Sequence, residues 1–312
     1  MLKIPILWQG GLYKLFGCIC FSIVNSLIRY VTGGVSSIDR EPLSFYQIVF
    51  LENLIGAAIL LPWMLRKGIN ICITKWPIFH AIRILLAVSG MILWYASLKF
   101  MPITQALALS FTGPILGLIG AKIFLKEQMK KSRILAVFLS LLGAFFIIKP
   151  YNAFSEQNIT SNSVGVFVFL PLLSAAAFAG TKLCDRVLGK RGESPQLLTL
   201  YLLIFMAPIS FVPAFFNWTM PSWNLLCIIA LMSILSTIAY LSFAQAFKVA
   251  SVSFLMPFGF SKLIFSSIIA YFAFEEIPTS WSFWLGSGCI IFSILVLSYF
   301  DFFKKFIIKL NY

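Results

Sequence analysis

Ten apolar runs, each about as long as the roughly 20 residues that cross a bilayer core, organise this chain. They lie at about 12–32, 44–65, 77–98, 103–125, 133–149, 163–182, 197–216, 223–246, 252–273 and 280–300. Their continuity argues for helices, because a membrane strand alternates apolar and polar residues. The connections are short and leave no room for a soluble domain. Composition agrees: 60% of residues are hydrophobic and 11% are charged, against roughly 25% charged in an ordinary soluble domain. A soluble globule and a disordered chain are both excluded. The first run is too long for a signal peptide and lacks a small-residue cleavage site, so it is read as a span. The expected fold class is an all-α membrane protein with ten transmembrane helices.

The net charge is +14, and its placement explains it. With the N-terminus inside, fifteen Lys and Arg fall on inner loops and ends, and three (Arg40, Lys99, Lys149) fall outside. That asymmetry predicts an N-in, C-in topology. Trp63, Trp76, Trp218, Trp223 and Trp281 fall near span ends, as an aromatic belt requires. The basic surplus is therefore topology and anionic-lipid contact, and no nucleic-acid partner is expected. The six cysteines are scattered, with no CxxC pair, and read as packing residues. No zinc or paired-aspartate motif and no Walker motif occurs. No metal, cofactor or catalytic residue, and no ATPase partner, is expected.

The polar stretch PYNAFSEQNITSN at 150–162 divides the chain into 12–149 and 163–300, with a tail at 301–312 expected inside. Five spans on each side force the second half to insert upside down relative to the first. Inverted repeats of this kind place a site near the midplane between the halves. The segments YASLKFMPITQAL (95–107) and YLSFAQAFKVASV (240–252) are loosely alike. Each joins the third span of its half to the fourth.

The run 99–150, with Pro102, Ala106, Pro114, Glu127, Gly143 and Pro150, resembles the first repeat of EamA-type carriers of the drug/metabolite transporter superfamily. The run 246–291, with Met256, Pro257, Phe260, Phe274, Glu276, Pro278 and Gly286, resembles the second. The FTGP and MPFGF forms are most similar to the branch that contains S-adenosylmethionine transporters of obligate intracellular bacteria. One departure stands out. Where that family usually carries an arginine in span 2, Phe50-Leu51-Glu52-Asn53 offers an acid.

Ionisable residues within spans are functional candidates. Span 1 carries Lys14, Cys18, Ser22, Asn25 and Arg29 on one helix face. Either the whole stripe faces protein or a wet cavity, or Lys14 and Arg29 snorkel to opposite interfaces. Glu52 lies about 12 Å deep from the outer side of span 2, at a rise of about 1.5 Å per residue. Asn25 and Lys262 lie at similar depth. Glu52 and Lys262 either pair with each other, or Glu52 binds a cationic substrate or a proton. Trp94, Tyr95 and Tyr240 can stack an aromatic ring, or anchor at the interface. Arg83 is expected to snorkel inward. Pro114, read as mid-span, and Pro257 are read as kinks or hinges suited to gating. Gly113 and Gly117 form a small-residue packing face. Glu127 and Glu276 are read as symmetric helix-end anchors.

The expected function is secondary active transport of a small metabolite across a bacterial inner membrane by alternating access. A cationic or amino-bearing, nucleoside-like substrate fits the acid in span 2. The resemblance implies S-adenosylmethionine uptake, with S-adenosylhomocysteine as exchange partner. The alternative is a proton-coupled exporter of amino acids or drugs.

Overall fold

A computed structural model describes residues 6–31, 43–66, 68, 73–100, 106, 109–148, 168–216, 218–274 and 281–310. Its helices are α1 (Ile6–Val31), α2 (Phe45–Leu65), α3 (Pro77–Phe100), α4 (Thr112–Leu125), α5 (Lys131–Ile148), α6 (Phe169–Lys190), α7 (Pro195–Phe215), α8 (Trp223–Val249), α9 (Val252–Gly259), α10 (Ser261–Phe274) and α11 (Trp281–Leu310). No strand occurs among the described residues. The protein is an all-α membrane protein. Among the described residues, six helices are long and apolar enough to cross a bilayer by themselves, with α9 and α10 counted together as one interrupted span. Two departures from the expected boundaries have physical causes. The α6 helix runs on to Lys190 because Asp185 and Arg186 find partners inside the bundle, so its low hydropathy does not end it. The α11 helix runs on to Leu310, through most of the expected tail.

Side-chain contacts set the direction in which the helices pair. The α1 and α8 helices are antiparallel, with Gly10 against Ala250 and Gly17 against Phe243. The α3 and α6 helices are antiparallel too, with Gly180 against Leu86 and Ser174 Oγ donating to Gly90 O at 2.7 Å. At the α5–α11 crossing, Gly143 and Gly286 meet face to face. A Cβ on either would lie 2.5 Å from the other's carbonyl oxygen. The Ser140 and Ser293 hydroxyls hydrogen-bond beside them at 2.6 Å. By contrast, α4 runs parallel to α6, stacking Gly113, Gly117 and Gly120 on Ala175, Ala179 and Leu183. Likewise α1 runs parallel to the α9–α10 pair, from Gly11 on Phe258 to Ser22 on Lys262 and Ser266.

These pairings survive exchange of α1–α5 with α6–α11, taking α9 and α10 together. The α1–α8 contact becomes α6–α3, and α4–α6 becomes α9/α10–α1. The α2–α7 and α5–α11 contacts map onto themselves. The largest apolar cluster surrounds α9, where Phe254, Leu255 and Phe258 are fully buried against α4, α5 and α8.

Two polar ties close the ends. Gln47, at the start of α2, receives from Thr219 N at 3.2 Å and donates to Thr219 O at 2.5 Å. At the other end, Glu193 accepts from Thr74 Oγ1 at 2.7 Å and Lys75 N at 3.2 Å.

Candidate functional site

Polar residues of α1, α2, α3, α6, α8 and α10 converge inside the bundle. Their centre is an aromatic group. Phe21 of α1 stacks on Phe243 of α8, with centroids 5.6 Å apart, and meets the edge of Tyr240 at 5.3 Å. One helical turn separates Tyr240 from Phe243, so both rings share the α8 face turned to α1.

Lysines border the rings. Lys14 is 7% exposed, and its Nζ lies 3.7 Å from the Phe243 centroid and 4.9 Å from that of Phe247. It therefore does not snorkel to an interface. Lys262 Nζ stands 5.1 Å from the Phe21 centroid. Contacts of this kind contribute about 0.5–2 kcal/mol each. Lys182 of α6 has Lys14, Lys262 and Asp185 as charged neighbours. Lys182 and Lys262 are only partly buried.

Asp185 is the carboxylate of this group, and Arg83 binds it through Nε. Arg83 also donates to Leu198 O at 3.0 Å and is 3% exposed. Its expected inward snorkelling does not occur, because a carboxylate and a carbonyl within the bundle satisfy the guanidinium.

Glu52 is buried on α2. Ser236 neighbours its carboxylate, and its carbonyl accepts from Ser233 Oγ at 2.6 Å. Tyr240 has both Glu52 and Arg83 as electrostatic neighbours. Among the described residues, no ion pair joins Glu52 to Lys262. Asn25 is half-buried on α1, one turn beyond Ser22, and makes no side-chain hydrogen bond among the described residues.

The structure thus gathers Glu52, Tyr240 and Lys262 around Phe21. Trp94 sits half-buried on α3, apart from those rings. The side chains of Tyr95 and Arg29 lie outside the described residues, as does Glu276. Pro114 falls in the first turn of α4, where no helix hydrogen bond needs its missing N–H, rather than mid-helix. Pro257 lies inside α9, just before the interruption at Phe260.

Lys182 and Asp185 were not legible as candidates, because the apolar run of span 6 ends at 182. The signal that could have found them is an acid three residues after a lysine, on one helix face.

Glu127 makes a second polar node at the basic end of the bundle. It accepts from Val252 N and Ser253 N at 3.2 Å each and from Ser253 Oγ at 2.9 Å. It therefore holds the first turn of α9, where free N–H groups and the helix dipole favour an anion. Arg186 Nε lies 3.6 Å from Glu127, while Arg186 Nη1 donates to Phe247 O and Lys248 O at 2.9 and 2.8 Å. Arg133 donates to Ser253 Oγ at 2.8 Å. One carboxylate thus joins the α4–α5 turn, α6 and α9, and Arg186 extends the node to the C-terminus of α8.

Known proteins place these features in context. The EamA-like transporter family matches residues 9–149 and 165–299. A riboflavin transporter of Brucella anthropi is 30% identical over 90% of this chain and 95% of its own. An S-adenosylmethionine uptake transporter of Rickettsia prowazekii is 25% identical over 83% of this chain and 85% of its own. A solved crystal structure superposes with a TM-score of 0.77 at 14% identity, over 93% of this chain and 97% of that one, and shares the fold.

Proposed function

The chain belongs to the EamA-like transporter family, and from that premise we propose that it is a secondary carrier of a small heteroaromatic metabolite in a bacterial inner membrane, with riboflavin the first substrate to test. The observation that carries this reading is the Phe21, Tyr240 and Phe243 ring group set among partly exposed polar side chains. A planar heterocycle stacks on such rings, while the neighbouring donors meet its carbonyls.

The carrier works by alternating access between two inverted five-span halves, 12–149 and 163–300, with both termini inside. The pairings that survive exchange of the halves support this, as do the antiparallel α5–α11 crossing at Gly143 and Gly286 and the antiparallel α2–α7 pair. The positive-inside asymmetry supports the orientation. The interruption of α9–α10 after Pro257, and the start of α4 beside Pro114, supply hinges near the midplane.

The second reading is S-adenosylmethionine uptake in exchange for S-adenosylhomocysteine, which the Rickettsia relatives support. Adenine stacks on the same rings. Its sulfonium and ammonium groups, however, need free carboxylates. Among the described residues near the rings, Asp185 is engaged by Arg83, and Lys14, Lys182 and Lys262 outnumber the one remaining carboxylate, Glu52. The charge balance favours the uncharged flavin ring.

The test is uptake of labelled riboflavin by a riboflavin-requiring bacterium that lacks its own importer and expresses this chain. Saturable uptake that excess S-adenosylmethionine leaves unchanged is expected. No saturable riboflavin uptake ends the reading, and saturable S-adenosylmethionine uptake in its place establishes the second. Collapse of the proton gradient separates an exchanger, which is spared, from a proton-coupled exporter of amino acids or drugs.

A further inference from the structure

Lys14, Lys182 and Lys262 come from α1, α6 and α10 to one inner region: the Nζ of Lys14 and of Lys262 lie over the stacked Phe243 and Phe21 rings, and Lys182 has both lysines as electrostatic neighbours. Among the described residues none of them forms a salt bridge. We propose that this lysine triad is an anion-binding subsite, which takes a carboxylate or phosphate group. The inference rests on the transport reading above, because it places the triad beside the rings that stack the carried molecule.

The argument begins with cost. An unpaired lysine within a span is costly, and three of one sign also repel one another. The groups that could offset this are already committed. Asp185 is bound by Arg83, itself a cation, so that pair brings no net negative charge. Glu52 neighbours Ser236 and Tyr240 and forms no salt bridge among the described residues with any of the three lysines. The ring faces of Phe243 and Phe21 take up part of the charge of Lys14 and Lys262, but rings are neutral.

Two further observations point to a ligand. Lys182 and Lys262 retain part of their surface exposed, and Lys262 does so beside the Phe21 ring. Lys262 is also the second residue of α10, directly after the interruption at Phe260. There the shortened bonds Phe260 N to Pro257 O and Leu263 N to Phe260 O break the α-helical register. An interrupted helix turns the positive end of its dipole toward an anion, and Lys262 adds a full charge there. The Ser22 hydroxyl, which donates to Cys18 O at 2.8 Å, and the Ser266 hydroxyl, which donates to Ser22 Oγ at 3.2 Å, make the surroundings polar.

The anion has two possible sources: a charged group on the carried molecule, or a small anion bound with it. Two arms separate them. In reconstituted vesicles, inhibition of labelled riboflavin uptake by riboflavin 5′-phosphate is compared with inhibition by unlabelled riboflavin. In detergent, the unfolding midpoint of the full chain is followed against inorganic phosphate at fixed ionic strength. Each arm is repeated with Lys182→Met and Lys262→Met, and with Lys182→Arg, which keeps the charge.

If the carried molecule brings the anion, the phosphorylated flavin inhibits about tenfold or more better than riboflavin, and both Met variants erase the difference. If the anion is free, phosphate raises the wild-type midpoint saturably, the Met variants lose the shift, and Lys182→Arg retains it. Lysine-dependent stabilisation by phosphate without any riboflavin uptake removes riboflavin as substrate and leaves the triad standing. Equal inhibition by the two flavins together with no phosphate shift in the wild-type chain overturns the proposal. So does a response that the Met variants keep.

Discussion

At Asp185 a single carboxylate faces Arg83, Lys14 and Lys182. Removing one partner of a buried pair costs roughly 3–5 kcal/mol, most of it the charge left behind. Asp185→Asn therefore lowers the unfolding midpoint in detergent and abolishes uptake. The Asp185→Asn, Arg83→Gln double variant recovers part of the midpoint. A single variant as stable as wild type would show that the pair contributes little. Glu52 differs, because no cation is paired with it among the described residues. Glu52→Gln keeps the size of the side chain and removes the charge. Uptake is expected to fall strongly while the protein still inserts, and transport at the wild-type rate would remove Glu52 from the mechanism. Glu52 and Lys262 were legible in the sequence because a charge within an apolar run needs no alignment to be noticed. Their partners were not, because Ser236 and Phe21 are ordinary residues until α8 and α1 are placed beside them.

Among the elements, the α5–α11 pair tolerates the least change. Gly143 and Gly286 leave no volume for a side chain at the crossing. Gly143→Leu forces the helices apart, at a cost of at least the 1–3 kcal/mol or so typical of overpacking. A lower midpoint and poor recovery from the membrane are expected, and a fully stable Gly143→Leu protein would mean that the two helices separate freely. Glu127 acts at the other kind of junction. Glu127→Ala removes the acceptor at the α9 N-terminus, worth about 1 kcal/mol as a helix cap, and takes the carboxylate from Arg186. Because that node ties α9 to α6, its loss loosens the basic end. Faster reaction there of a cysteine replacing Lys248 with a thiol reagent, measured in membranes, is the expected sign, and an unchanged rate would show that the node does not hold that end closed. Resemblance to the family singled out Glu127 and Gly143. It did not say that Glu127 serves a helix of the opposite half, which depends on packing between segments more than 120 residues apart.

For the whole molecule, the inverted arrangement predicts opposite accessibility of equivalent loops. In a cysteine-free background, Met220→Cys reacts with a membrane-impermeant thiol reagent from outside the cell, and Lys75→Cys reacts only after the membrane is opened. The same side for both would exclude the proposed topology. Exposed apolar side chains such as Phe124, Phe272 and Trp284 cover the outside of the bundle, as expected where lipid is the solvent. By itself the sequence determined the class: long apolar runs cross a bilayer wherever they occur, and loop charge orients them, since both effects depend on local composition. The tertiary structure alone decided where the charges inside those runs go. Arg83 binds Asp185 within the bundle, Lys14 rests on Phe243, and Glu52 lies beside Ser236 without pairing with Lys262. The physical reason is that a buried charge takes the nearest group able to satisfy it, and which group is nearest is a property of helix packing, not of spacing along the chain.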